Sequence, residues 1–476
     1  MSNNYNRSKI VATMGPATMD PKVLEKMILA GVDVCRINGS HGDYEAMGQI
    51  IKMVREINVR INENIAILFD LQGPKIRIGD LAEGQIFLKD GESFTLTTHE
   101  VPGTRELVYI KYPLFHKDVK VGDRVLLDDG KIELEVSEIL ANEQVKTKVI
   151  HGGILTSRKG VNLPNTEISL PSLTEKDRND LDFALSHNVE WIGLSFVRKP
   201  EDVMELKKII NDRNSTAKVI AKIEKPQAIL SIKEIIDEAD GIMVARGDLG
   251  VEMPMEQVPV IQKQIVKLCN KAAKPVIIAT QMMESMISNY RPTRAEANDV
   301  GNAVYDGADA LMLSAETSVG KYPLEAVTAM QKIISEVEKL DSIYFRYTSP
   351  NPDSKNFTAE LICYSACILS KQSNASAIAA MTHSGMTAFK ISSQRPKAHI
   401  YIFTDNRTIL ATLNLLWGVR GYYYDGYEST DQTISDIKEY LVDRKFVNSG
   451  EYLIHVASAP LHERATANTI KLNYID

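Results

Sequence analysis

Two stretches of this 476-residue chain bring together side chains suited to chemistry on an anionic substrate. In Lys222-Ile223-Glu224, the alternation of side chains along an extended segment puts the ammonium of Lys222 and the carboxylate of Glu224 on one face, with Ile223 on the other. In Arg246-Gly247-Asp248-Leu249-Gly250, two glycines let the backbone turn tightly around Asp248 and approach a ligand, leaving N–H groups free to hold a carboxylate. Glu224 and Asp248 offer hard oxygens, and Mg²⁺ (or Mn²⁺) commonly takes one or two carboxylates and completes its shell with substrate oxygens and water. Each stretch also has an ordinary reading. A Lys-x-Glu is most often a surface ion pair, and an Asp at that place can simply cap a helix.

What would position them is a repeat of strands and helices. Short β-branched runs at 9–14, 32–38, 65–71, 191–197, 218–223, 241–245, 275–280 and 308–314 alternate with amphipathic segments that begin near Pro21, Tyr44, Glu175, Glu201, Pro226, Met255, Thr293 and Tyr322. Eight such units predict a closed (β/α)8 TIM barrel, in which reactive groups stand at the C-terminal ends of the strands. The ends are rich in such groups. They are Arg36, Asn38, Ser40 and His41 after the second strand, Asp70 after the third, and Ser195, Phe196 and Arg198 after the fourth. Lys222 and Glu224 follow on the fifth, Gly247 and Asp248 on the sixth, Thr280 and Gln281 on the seventh.

About a hundred residues separate the third strand from the fourth. Their turn signals, Asp129-Gly130 and Gly152-Gly153, and short alternating runs predict an all-β insertion at the barrel mouth, placed to act as a lid. After a polar, proline-containing stretch at 347–356, strands are expected near 377–381, 399–403, 421–424 and 451–456, in an open α/β sheet. The expected domains are therefore a barrel at 1–72 and 170–340, an inserted β-barrel lid at 73–169, and a C-terminal α/β domain at 341–476.

Lys and Arg number 55 against 62 Asp and Glu, a formal charge of −7, which argues against general nucleic-acid binding or attachment to anionic lipid. No apolar run reaches membrane-spanning length and residues 1–7 lack a signal-peptide core, so a cytoplasmic protein is expected. Cys35, Cys269, Cys363 and Cys367 lack paired metal-ligand spacing and read as packing residues.

Residues 8–18 (SKIVATMGPAT), 34–42 (VCRINGSHG), 221–224 (AKIE), 240–251 (DGIMVARGDLGV), 279–287 (ATQMMESMI), 291–299 (RPTRAEAND) and 307–317 (GADALMLSAET) resemble, in order, the signature segments of the pyruvate kinase family. Residues 121–130 and 159–164 extend the resemblance into the insertion. It implies Mg-dependent transfer of phosphate from phosphoenolpyruvate to ADP, the last step of glycolysis. It also implies metal on Glu224 and Asp248, phosphoenolpyruvate held near Gly247 and Thr280, Lys222 facing the transferring phosphoryl group, and Arg36 and Arg77 on phosphate oxygens. Asn38, His41, Arg77 and Lys159 would meet the nucleotide, and a homotetramer is the usual assembly. An aldolase-type barrel lyase sharing the Glu/Asp pair and a catalytically silent metabolite-binding paralogue are the competing readings. The nucleotide-side residues argue against the first and the intact catalytic set against the second.

Two departures matter. Relatives that need K⁺ hold it near the matches of Asn38, Ser40, Asp70 and the Leu71 backbone, and carry Glu at the position of Lys75. A fixed ammonium here could supply that charge, so K⁺ is expected not to be required. Gly39 stands where most relatives have Phe, which predicts altered packing beside the site. In the C-terminal domain, Thr382, Ser384, Gly385 and Thr387 resemble a phosphate-binding loop for a sugar-phosphate effector. Residues 458–468 lack the glycine-rich loop of relatives strongly activated by a sugar bisphosphate.

Overall fold

A computed structural model describes residues 5–40, 43–164, 166–426, 429–459 and 466–476. Eight parallel strands close into a barrel: β1 (Lys9–Thr13), β2 (Val34–Asn38), β3 (Ala66–Asp70), β12 (Trp191–Leu194), β13 (Lys218–Ile223), β14 (Gly241–Ala245), β15 (Val276–Ala279) and β16 (Ala310–Leu313). They are buried on both faces, which is why they read as unbroken apolar runs. One core, including Val11, Leu68, Ile220, Met243 and Ile277, fills the barrel. A second and larger one lies between strands and surrounding helices.

Several runs expected as strands stop short, and the shortened ends have causes. The run expected at 191–197 ends at Leu194, with Phe196 at φ 55°, and that expected at 275–280 ends at Ala279 because Thr280 and Gln281 take φ 70° and 54°. The tight glycine turn expected around Asp248 is instead a helix, Arg246–Glu252, which leaves β14 directly. Neither Gly247 nor Gly250 has positive φ.

Between β3 and β12 lie eight strands: β4 (Gln85–Leu88), β5 (Ser93–Thr97), β6 (Leu107–Tyr109), β7 (Arg124–Leu127), β8 (Ile132–Ile139), β9 (Gln144–His151), β10 (Gly153–Thr156) and β11 (Val161–Asn162). They form a six-stranded sheet, β11-β7-β8-β9-β5-β6, and a β10-β4 pair, joined by isolated bridges such as Arg77–Gly160 and Ile78–Ile110. The barrel expected there is thus an open one among the described residues, with one helical turn at Phe115–Asp118. It has its own core around Phe94, Leu96, Tyr112, Phe115 and Leu134.

After residues 344–356, which hold no helix or strand, a long helix, Phe357–Ser373, leads into a five-stranded sheet. Its strands are β17 (Ala377–Met381), β18 (His399–Thr404), β19 (Val419–Tyr423), β20 (Tyr452–Ala457) and β21 (Thr469–Tyr474), in the order 19-18-17-20-21. The antiparallel edge strand β21 was not expected from the sequence. This part docks on the N-terminal end of the barrel, where Ala411 and Leu415 join the inner core and Trp191 Nε1 donates to Thr412 O at 3.3 Å. The opposite mouth faces the inserted sheets. No helix among the described residues is long and apolar enough to cross a membrane.

Candidate active site

At that mouth, the parity expected for β13 brings Lys222 and Glu224 together. Lys222 Nζ lies 3.1 Å from Glu224 Oε1, 3.1 Å from Asp70 Oδ1, and donates to Ser195 Oγ at 2.7 Å. Ser195 in turn donates to Leu71 O at 2.6 Å. Asp70 Oδ2 accepts from Arg36 Nε at 2.8 Å and Nη2 at 2.5 Å. Two cations therefore share one buried carboxylate. Burial alone would raise Asp70, but Lys222 and Arg36 hold its carboxyl below the ordinary value. For Lys222, burial works against the charge, and Asp70 and Glu224 overcome it, keeping the amine protonated.

Glu224 behaves in the opposite way. Burial pushes it up to about 7, Lys222 opposes the rise, and Asp248 adds to it. Its other oxygen accepts from Phe196 N at 2.7 Å. A carboxylate raised by desolvation and by a second carboxylate fits a dication between the two. Among the described residues no group of three or more His, Cys, Asp and Glu converges as a metal cage. A metal at this place would therefore draw most of its shell from substrate and water, the habit of Mg²⁺.

The third side of the mouth is formed by the helix Arg246–Glu252 and the end of β15. Gly247 N donates to Thr280 Oγ1 at 2.6 Å, and Thr280 Oγ1 donates to Ala279 O at 2.6 Å. A Cβ on Gly247 would stand 3.3 Å from Thr280 Oγ1, so the glycine eases this close approach rather than making a turn. Thr280 and Gln281 are consecutive non-glycine residues at positive φ, a strained arrangement that neighbours must hold. Arg246 does so, donating to Thr280 O at 2.7 Å while paired with Asp299 at 2.8 Å.

The residues expected to meet a nucleotide are less convergent. Asn38 Oδ1 accepts from Ser40 N at 3.2 Å, and His41 lies outside the described residues. Arg77 Nη1 reaches Arg158 O at 3.3 Å, and Lys159 pairs with Asp128 at 2.8 Å. Lys75 is not on Asp70. It runs beside Gly160 and lines a cavity of about 30 Å³ with Asn162, Phe196, Arg198 and Lys225. Gly39 leaves no void either: a Cβ there would meet Asp70 O at 2.9 Å and Asp180 Oδ2 and Phe69 at 3.2 Å.

Sequence reasoning missed the group that fixes this rim. Lys176 Nζ donates to Gly39 O at 2.6 Å and to Asp180 at 2.5 Å, and Asp177 Oδ1 accepts from Gly73 N at 3.0 Å. The Thr174–Asp177 capping box at the start of their helix was a readable signal.

In the C-terminal part, Gly385 sits at φ 84° before the helix Met386–Ser393. Its N–H donates to Thr382 Oγ1 at 3.0 Å, and Met386 N approaches Ser384 Oγ at 3.5 Å. Two of the loop's N–H groups thus close on its own hydroxyls. Thr387 is buried, and an acidic side chain stands at the rim, where His383 Nδ1 meets Asp405 at 2.8 Å.

Two family models match this chain: the pyruvate kinase barrel domain over residues 5–327 and the pyruvate kinase alpha/beta domain over 360–473. A pyruvate kinase of Staphylococcus saprophyticus is 41% identical over 471 residues, spanning 98% of this chain and 80% of the relative, and one of Staphylococcus aureus is 40% identical over 470. The crystal structure of a pyruvate kinase from Cryptosporidium parvum superposes with a TM-score of 0.92 at 35% identity, covering 99% of this chain and 96% of the other.

Proposed function

The chain belongs to the pyruvate kinase family of phosphotransferases, which implies phosphoenolpyruvate and ADP as substrates, and from that premise we propose how its residues carry the reaction. The observation that carries the reading is the Lys222 ammonium between Asp70 and Glu224, 3.1 Å from each. In this reading Glu224 and Asp248 hold Mg²⁺ or Mn²⁺. When bound there, the metal supplies charge neutralisation on phosphate and enolate oxygens. Phosphoryl transfer depends chiefly on positioning and electrostatic stabilisation, and the chain's own groups fit that work.

Lys222 faces the transferring phosphoryl group. Arg36 releases part of its hold on Asp70 to reach phosphate oxygens, joined by Arg77 from the inserted domain. Gly247 N–H exchanges Thr280 for the substrate carboxylate, and the freed Thr280 hydroxyl orders the proton route to the enolate. Asn38, His41, Arg77 and Lys159 meet the nucleotide, with the insert at 73–169 closing as a lid over the barrel (1–72 and 170–340).

K⁺ is not required in this reading. Asn38, Ser40, Asp70 and Leu71 are the counterparts of the K⁺ site, and Lys222 and Arg36 already place two positive charges on Asp70. Lys75, five residues after Asp70 in the chain, is a further positive charge in this reading, though not one in contact with Asp70. The domain at 341–476 is read as regulatory, binding a sugar phosphate through Thr382, Ser384, Gly385 and Thr387 once the Thr382–Gly385 hydrogen bond opens. A cytoplasmic homotetramer is the proposed assembly.

A coupled assay for pyruvate from phosphoenolpyruvate and ADP tests the core of this. Turnover is expected with Mg²⁺ or Mn²⁺ and none after chelation, and turnover unaffected by chelation overturns the metal reading. Titrating KCl at constant ionic strength tests the cation claim, which an absolute K⁺ requirement would sink.

A further inference from the structure

Three buried polar side chains meet where the inserted domain rests on the barrel, outside the contacts described above. Glu252 ends the helix Arg246–Glu252, and its Oε1 accepts from Lys225 Nζ at 2.5 Å and from Asn162 Nδ2 at 2.8 Å. Lys225 is the residue after Glu224, and Asn162 lies on the lid strand β11. Glu252, Lys225 and Asn162 are 4%, 6% and 8% exposed, and Glu252 Oε2 has no hydrogen-bond partner among the described residues. The same helix end is touched a second time. A Cβ on Gly130, in the lid's Asp129-Gly130 turn, would lie 3.6 Å from Val251 Cγ1.

Burying an ion pair costs desolvation that its attraction repays only when the remaining lone pairs are satisfied. With Oε2 unpartnered, stability alone is a poor reason for this cluster. Its connections suggest another. Glu252 is four residues after Asp248, on the same face of a two-turn helix. Lys225 shares a peptide bond with Glu224. One carboxylate therefore joins the lid to the segments bearing both proposed metal ligands.

We propose that Glu252 is a positioning residue, and that docking of the lid through Asn162 sets the separation of Glu224 and Asp248. This inference rests on reading those two residues as the metal pair. With the lid docked, Asn162 fixes Glu252 Oε1, Lys225 aligns on it, and the two segments are held in register. With the lid away, water reaches the pair and the helix end loosens.

The test uses the full chain and two readouts: Mn²⁺ affinity by electron paramagnetic resonance without substrates, and kcat and KM by coupled assay. Asn162→Ala removes only the lid-side donor and leaves the Lys225–Glu252 pair intact, so the barrel keeps its fold. It is expected to weaken Mn²⁺ binding and lower kcat by about tenfold each, the scale of one lost hydrogen bond to a charged group. KM for phosphoenolpyruvate at saturating metal should change by less than about twofold, as for a loss confined to the metal geometry.

Asn162→Asp sets carboxylate against carboxylate and should be worse. The double variant Asn162→Asp with Glu252→Gln, which moves the charge to the lid side of Lys225, should recover most of the loss. Native Mn²⁺ affinity and kcat in Asn162→Ala overturn the proposal, as does a double variant no better than Asn162→Asp. Glu224→Gln separates the two ideas. If it retains native Mn²⁺ affinity, the metal reading itself fails. If it loses affinity while Asn162→Ala does not, only the positioning role fails.

Discussion

At the barrel mouth, Lys222, Asp70 and Glu224 are nearly removed from water and each is held by a group of opposite charge. Around Thr382 and Ser384, the polar groups instead face outward and close on one another, Gly385 N–H on Thr382 Oγ1. The first arrangement is preorganised: its charges are fixed before a substrate arrives and cost little further ordering during reaction. The second is a set of neutral groups near the surface, and an anion there would have to displace the hydrogen bond between Gly385 and Thr382. The two regions thus differ less in whether their donors are occupied than in burial and in the charge of the groups those donors hold.

The largest expected effect tests the preorganised side. Lys222→Met removes the central ammonium and should lower kcat by about 10³-fold or more, as loss of a preorganised electrostatic group does; a near-native kcat would break the comparison. Asp70→Asn comes next. It leaves Lys222 and Arg36 sharing a neutral partner, so kcat should fall about 10²-fold and the protein should lose about 3 kcal/mol in denaturant unfolding, the scale of a broken buried pair.

Acid should separate the two regions. Burial, then nearby cations, lower His399 and His455 from 6.5 to about 4, with Arg7 and Arg420 acting on the first and Lys471 and Lys438 on the second. Between those values the native state binds fewer protons than the unfolded chain. Their contribution is therefore complete above pH 6.5 and lost as pH falls toward 4, about 3 kcal/mol for each. Glu224 has the reverse sign. Its raised value means the native state binds more protons, so acidification from pH 7 relieves the barrel mouth. Hydrogen exchange at pH 5 and pH 7.5 should show the C-terminal sheet opening first in acid. Uniform loosening would contradict the contrast.

The smallest effect belongs to the loop. Thr382→Ala removes the acceptor of Gly385 N–H and should cost about 1 kcal/mol. Basal kcat should be unchanged and the thermal shift on adding a sugar phosphate reduced; an unaltered shift would count against the loop as the binding place.

The barrel was legible because its strands are apolar on both faces and its helices carry readable starts. Pro21, Tyr44 and Glu175 are the first residues of three of them. The pairing of Lys222 with Glu224 was legible for a simpler reason, since a period of two needs no tertiary knowledge. The helix at Arg246–Glu252 was not. Glycine flanking an aspartate signals a turn locally, and only the close approach of Thr280 reveals why Gly247 is there. Lys75 was equally opaque, because a long side chain after a strand end can reach in several directions and its neighbours from the inserted sheets decide which.

The chain by itself determined the number of strand–helix units, the residues at their ends, the family they resemble and the sign of each charge. What only the tertiary structure decided was which charges meet. Asp70 was a strand-end residue in the sequence and became the shared counter-ion of Lys222 and Arg36 in the fold. Glu252 had no visible partner until the inserted sheet brought Asn162 to it. The physical reason is that periodicity constrains a residue's direction within its own element. Partners far apart in the chain are set by barrel closure and by how the inserted sheets seat on the mouth, and those depend on the whole packed core.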